Sequence, residues 1–270
     1  MNGIAFFQNV LPPKLQPLID ALTVRMIMTP KEHFVYYEDY PPEKLENCEY
    51  DVLPCRDLKR YYDTKTGKIR LILAENVISA DTRLFDLIDL FNEEHTVYFV
   101  KEGKSIVGLV HYSDLKKHPV RVLFYLMVAE LESNLRKVLE TYYGTKLDDA
   151  IKKQIKPEKL SKIEGYLGED RKKNENLRYI DYLYLEDLRD ILLKDMGLWS
   201  LVKSHSRFSS KNKFESNINP LIDLRNWVAH PVKEELPRKE PIYLVLAKMK
   251  DRVMRLNSAL YNVLQAMKEN

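Results

Sequence analysis

The chain is poor in the residues on which several functional classes depend. Only two cysteines, Cys48 and Cys55, occur in 270 residues. Two thiols with no histidine pair nearby exclude a disulfide-stapled scaffold and make a poor zinc site, so no metal is expected. Glycine is scarce at 8 residues and nowhere forms the loop that cradles phosphates, which argues against a P-loop nucleotide hydrolase. Long hydrophobic runs are missing too. Stretches such as Val122–Val128 fall far short of the roughly 20 residues a membrane helix needs, so no membrane partner is expected. The first residues, MNGIAFFQNVLPPK, have no cationic start, no long apolar core and no small-residue cleavage site. No signal peptide is expected, and the expected compartment is cytoplasmic.

What is present describes a folded chain. Hydrophobic residues make up 45% and charged residues 31%, a globular composition whose length fits two domains. Net charge is +3 but unevenly spread. Residues 1–119 hold 15 Lys+Arg against 18 Asp+Glu, and residues 120–270 hold 28 against 22. A basic half suits a polyanion such as RNA, and a lysine-rich solvated surface accounts for the same numbers.

The pattern changes near residue 120, giving an expected α+β multidomain fold with domains at 1–119 and 120–270. Strands are expected at Phe34–Tyr37, Tyr50–Cys55, Lys68–Leu73, Val77–Ser79, Thr96–Val100 and Ile106–His111, with a helix over Thr82–Phe91 that Asp81 caps. This reads as a strand–helix–strand–strand–helix unit occurring twice, the first time degraded. After Pro119 only helices are expected, at Val122–Tyr142, Leu185–Leu193, Phe214–Val228 and Pro241–Met267, with residues 144–180 and 203–213 as Lys-rich connectors.

Val24–Pro30 (VRMIMTP), YDVLPCRD at 50–57 and GLVHYSD at 108–114 resemble the segments of CBS motifs. The resemblance covers about residues 20–118. It implies a pair of α/β motifs, the first degenerate, whose clefts bind an adenine nucleotide (AMP or ATP) or S-adenosylmethionine as a regulatory ligand. In that family the final Asp accepts hydrogen bonds from ribose hydroxyls, and Asp114 stands there. Ser113 supplies a hydroxyl, and His111 replaces the usual Thr as a phosphate contact or as a block to the site. Met28, Ile78 and Tyr98 are expected to wall the adenine. Ala74 and Val77 depart from the pattern in the first copy, which leaves at most one competent site. A structural or dimerising platform that binds no ligand is the other reading.

The segment LIDLRNWVAHP at 221–231 resembles the R-x4-6-H signature of HEPN domains, four-helix domains that often act as metal-independent ribonucleases. The resemblance implies a homodimer in which Arg225 and His230 from two protomers share one cleft. His230 would take the 2′-hydroxyl proton and Arg225 would stabilise charge on the phosphorane, leaving 2′,3′-cyclic phosphate ends with no cofactor required. Asn226 would hold a phosphate oxygen or orient His230. Glu132 on the first helix is the expected polar partner, with Asn134 the weaker choice. Arg207, Lys211 and Lys213 in a basic loop would guide RNA, with Phe208 stacking on a base. Tyr179, Tyr182 and Tyr184 form either a stacking platform or a packed interface. The alternative to the nuclease is a non-catalytic adenine-nucleotide sensor or dimerisation module that binds RNA or a protein partner.

Overall fold

The structure is a computed structural model, and residues 15–173, 175–229 and 240–269 are described. The amino-terminal stretch read above, His230 and Pro231 lie outside the described residues. The fold is mixed α and β. The described residues divide into two compact units, one within Lys14–Leu123 and Pro237–Ala247, the other within Phe124–Leu236 and Lys248–Asn270. No described helix is long and apolar enough to cross a membrane.

The α/β unit begins with helix α1 (Gln16–Ala21) and strand β1 (Thr29–Pro30). Strands β2 (Val52–Pro54), β3 (Arg60–Asp63) and β4 (Lys68–Leu71) follow as an antiparallel meander. Strand β5 (Val77–Ser79), helix α2 (Leu84–Leu90) and strands β6 (Val97–Glu102) and β7 (Ser105–His111) complete it. The larger sheet has the order β1-β7-β6-β5, with β5 parallel to β6 and the other pairs antiparallel. Parallel β5 and β6 need a crossover between them, and α2 supplies it. Its Leu84, Leu87 and Ile88 are buried at helical spacing.

Two glycines set this geometry. Gly103 takes a positive φ of 58° in the β6–β7 turn, where other residues are strained. Gly108 lets β1 approach β7, since a Cβ there would sit 2.7 Å from the Thr29 carbonyl oxygen. Side chains alternate across β6. Tyr98 turns toward α2, donating its hydroxyl to the Leu90 carbonyl at 2.7 Å and meeting the Phe91 ring at 5.6 Å. Phe99 points the other way, to Tyr61 of the meander at 5.6 Å.

Several expectations are corrected here. Phe34–Tyr37 is not a strand; Phe34–Tyr36 is extended without a ladder partner, and a 3-10 turn starts at Tyr37. Among the described residues the strand–helix–strand–strand unit occurs once. The region expected to hold its first copy instead folds as the meander, preceded by a 3-10 turn at Pro42–Asn47. Asp81 does not cap α2; Arg83 holds the N-cap position, and Asp81 pairs with Arg25 at 3.3 Å.

From His118 onward the described chain forms seven helices where four were expected. They are α3 (His118–Tyr143), α4 (Leu147–Gln154), α5 (Pro157–Lys172), α6 (Leu185–Lys194), α7 (Met196–His205), α8 (Lys211–Ala229) and α9 (Ile242–Glu269). The expected connector at 144–180 thus contains α4 and α5. Each buries only a pair of apolar residues one turn apart, Leu147 with Ile151 and Ile163 with Leu167, so their hydrophobic stripe is thin. Leu135, Leu188, Leu192, Leu221, Leu224, Leu256 and Leu260 are fully buried in this unit. One polar pair shares that interior, with Asn134 Nδ2 donating to Asn257 Oδ1 at 3.1 Å.

Candidate functional site

In the α/β unit the end of β7 runs into a 3-10 turn, Tyr112–Lys116, closed by a capping box. The His111 backbone N–H donates to Asp114 Oδ2 at 2.7 Å, and Lys117 Nζ lies 2.8 Å from Asp114 Oδ1. Both oxygens of the carboxylate expected to hold a ribose are therefore engaged within the turn. The His111 ring bridges two elements. Its Nδ1 lies 2.7 Å from Ser113 Oγ and its Nε2 3.0 Å from Asp51 Oδ2. The Ser113 backbone N–H also points at Nδ1, at 3.3 Å. That donor requires a lone pair on Nδ1, which places the proton of the neutral ring on Nε2, facing Asp51.

Asp51 also meets Lys65 Nζ at 3.1 Å. Burial pushes its carboxyl upward, but the bonds from His111 and Lys65 outweigh this and hold it below the ordinary carboxylate range. Asp51, His111, Ser113 and Asp114 border a cleft of about 490 Å3, also lined by Phe34, Tyr50, Val97 and Leu109. A second cleft of about 820 Å3 lies between the meander and β6, and it shares Asp51, Val52 and Val97 with the first.

Met28, Ile78 and Tyr98, expected to wall an adenine, line neither of these two clefts. Ile78 and Tyr98 are buried, and Met28 is half-buried with its sulfur close to Gly108. On β6 the cleft belongs to the opposite face, that of Val97 and Phe99.

In the helical unit, Arg225 lies in the last turns of α8, one residue past the buried Leu224. Its side chain is 29% exposed. Its guanidinium lies 4.7 Å from the centroid of the Tyr184 ring, and its Nε is 3.8 Å from Glu132 Oε1 on α3. Glu132 Oε2 in turn lies 3.8 Å from Arg136 Nη2. Arg136 donates to the Leu183 carbonyl at 2.8 Å, which ties α3 to the residue before Tyr184. Arg225 and Glu132 are thus brought together, and Asn226 follows on α8, half-buried. Asn134 turns into the core to Asn257 and not to Arg225. A guanidinium seated on a ring and loosely paired keeps donors for an incoming anion.

No family model, curated protein or solved structure matches this chain.

The expected RNA-guiding loop is partly redirected. Lys211 is the first residue of α8, and its ammonium caps the end of α6 by donating to the Leu193 carbonyl. Arg207 and Lys213 are exposed. Phe208 is buried and meets Phe214 edge-on at 5.1 Å, so it is closed to a base. Asp51, Lys65, Lys117 and Arg136 belong to these sites and were not singled out from sequence. Asp51 is the second residue of the quoted YDVLPCRD stretch, but only folding brings it to His111, 60 residues away.

Proposed function

We propose that the helical unit is a metal-independent endoribonuclease working as a homodimer, in which Arg225 binds the scissile phosphate. His230 takes the 2′-hydroxyl proton, the 2′-oxygen bonds to phosphorus as the P–O5′ bond breaks, and the 5′-oxygen leaves with a proton as a 5′-hydroxyl, giving a 2′,3′-cyclic phosphate. The observation that carries this reading is the placement of Arg225, held by the Tyr184 ring and by Glu132 yet partly open to solvent. An always-charged fork of donors in that setting suits a phosphate whose charge grows in the transition state. Asn226, adjacent on the same helix, is the second polar group at hand.

The α/β unit is the regulatory half in this proposal. Its cleft of about 490 Å3 falls within the roughly 300–1,000 Å3 of small-molecule sites, and Ser113, His111 and Asp114 border it. An adenine nucleotide there must draw Asp114 away from Lys117 and the His111 N–H. The fit therefore requires a rearranged turn, and that rearrangement is the event that would be sensed.

The test is incubation of the full chain with single-stranded RNA in chelator, with and without AMP, ATP or S-adenosylmethionine. The expected result is cleavage to 2′,3′-cyclic phosphate ends, abolished in Arg225→Ala and His230→Ala. Cleavage that survives both substitutions overturns the mechanism. Intact RNA with unaltered protein leaves the nucleotide-sensing or dimerising module.

A further inference from the structure

The segment Tyr179–Tyr184 collects cations from three helices of the helical unit. Lys152 on α4 places its ammonium 4.7 Å from the centroid of the Tyr179 ring. Lys159 on α5 does the same at Tyr184, at 5.1 Å, and Arg225 on α8 lies 4.7 Å from that same ring. Between them in sequence, Tyr182 stacks on Tyr166 with centroids 6.2 Å apart and planes 12° from parallel. Tyr166 is 56% and Tyr184 55% exposed, so these rings face solvent. Asp187 shares the Lys159 ammonium, and Glu164 accepts from the Tyr179 hydroxyl at 3.5 Å.

An aromatic face positions a cation without cancelling its charge, as at Lys152 and Arg225, whereas Lys159 must leave the Asp187 carboxylate to meet a phosphate. Basic groups alternating with open rings are the chemistry of a single-stranded nucleic-acid track. The cations follow phosphates, and a free ring stacks on an unpaired base. A duplex is disfavoured because its bases already stack on one another.

We infer that Lys152, Lys159 and Arg225, with the Tyr166–Tyr182 pair, form the binding track for single-stranded RNA. The inference rests on the RNA-directed reading above and adds the path of the strand. Lys152 and Lys159 each neutralise one phosphate upstream or downstream of the one at Arg225. Tyr166 offers its ring to a base. This path replaces the basic loop around Lys211 as the principal contact.

The experiment uses the full chain and a fluorescein-labelled, fully 2′-O-methylated single-stranded oligoribonucleotide, which cannot be cut. Binding is followed by anisotropy over a KCl series. Lys152→Ala and Lys159→Ala are each expected to lower the steepness of log K against log salt by about 0.7, one phosphate contact on a single strand. Tyr166→Leu keeps the steepness and weakens binding about five-fold or more at every salt concentration. Lys268→Ala, in the last turn of α9, is the charge control and leaves both quantities unchanged.

If unaltered protein binds and the lysine and Tyr166 variants bind identically, the track is wrong. Cleavage that needs Arg225 but ignores those variants leaves the nuclease reading standing without it. Failure of unaltered protein to bind RNA removes the reading itself. Polyglutamate that competes as well as RNA at equal charge overturns the RNA assignment in favour of an acidic protein segment.

Discussion

Asp195 ends one helix and begins the next. It follows Lys194 at the close of α6, and its Oδ1 accepts from the Leu198 N–H at 2.9 Å as the N-cap of α7. Its other oxygen accepts from the Tyr143 hydroxyl at 2.8 Å. Burial works against ionisation here, but the Leu198 N–H and the Tyr143 and Tyr142 hydroxyls outweigh it and keep the carboxyl below its usual range. Asp195→Ala should cost about 1–2 kcal/mol in urea unfolding, and Asp195→Asn less, because the amide oxygen still caps. Asp51 offers a pH test. Its folded pKa is depressed, so its contribution is fully present above the unfolded value near 3.8 and fades as pH falls through the folded one. Asp51→Asn should therefore be less stable than the unaltered chain at neutral pH. The two thermal unfolding curves should converge below that window; a gap that persists there would show that Asp51 acts by packing and not by charge. The residue types of these sites were legible in the sequence, because Asp114, Ser113 and His111 do border one cleft. Their partners were not, since Asp51 reaches His111 only through the meander, and the turn claims both oxygens of Asp114.

At the scale of elements, hydrophobic stripes with several members were readable and thin ones were not. Helices α2, α6 and α8 bury three or more apolar residues each and were expected close to where they lie. Helices α4 and α5 bury two each, so their lysines dominated the pattern. Helix α7 was missed although Asp195 caps it and Leu198, Trp199 and Val202 form its buried face. Strand β3 was missed for a related reason. Its sequence RYYD has no apolar alternation, and pairing on both sides by β2 and β4 defines it. On β6 the element was expected but its orientation was not. Period two assigns Tyr98 and Phe99 to opposite faces, and only the position of α2 decides which face looks into a cleft. Gly108 is the most exacting position in this sheet. Gly108→Ala would push a methyl to 2.7 Å from the Thr29 carbonyl and 2.8 Å from the Met28 sulfur. The sulfur can swing aside but the carbonyl is backbone, so β1 must separate from β7. The expected cost is about 1–3 kcal/mol in chemical denaturation. Unchanged stability would mean that the β1 edge contributes little to the unit.

For the whole molecule, the proposed regulation has a thermodynamic consequence that can be measured from both ends. The division between the two units falls inside α3, after Leu123, and again inside α9, after Ala247. The sequence showed the change of character near residue 120, but it could not show that residues 240–247 group with the α/β unit, because that segment carries a helical pattern like its neighbours. The chain passes between the units inside α3 and inside α9, so a ligand-driven change in one unit has covalent routes to the other. If AMP in the α/β cleft alters RNA affinity by some factor, RNA must alter AMP affinity by the same factor, since both reflect one coupling free energy. A coupling of about 1–3 kcal/mol corresponds to roughly 5- to 150-fold. Anisotropy with and without saturating AMP gives the first factor, and calorimetric titration of AMP with and without the uncleavable oligonucleotide gives the second. Equal factors that both vanish in Asp114→Ala would tie the response to the turn at the end of β7. Two factors near one, with AMP and RNA each binding, would mean that the units work side by side, and the rearranged turn would then have no role in controlling Arg225.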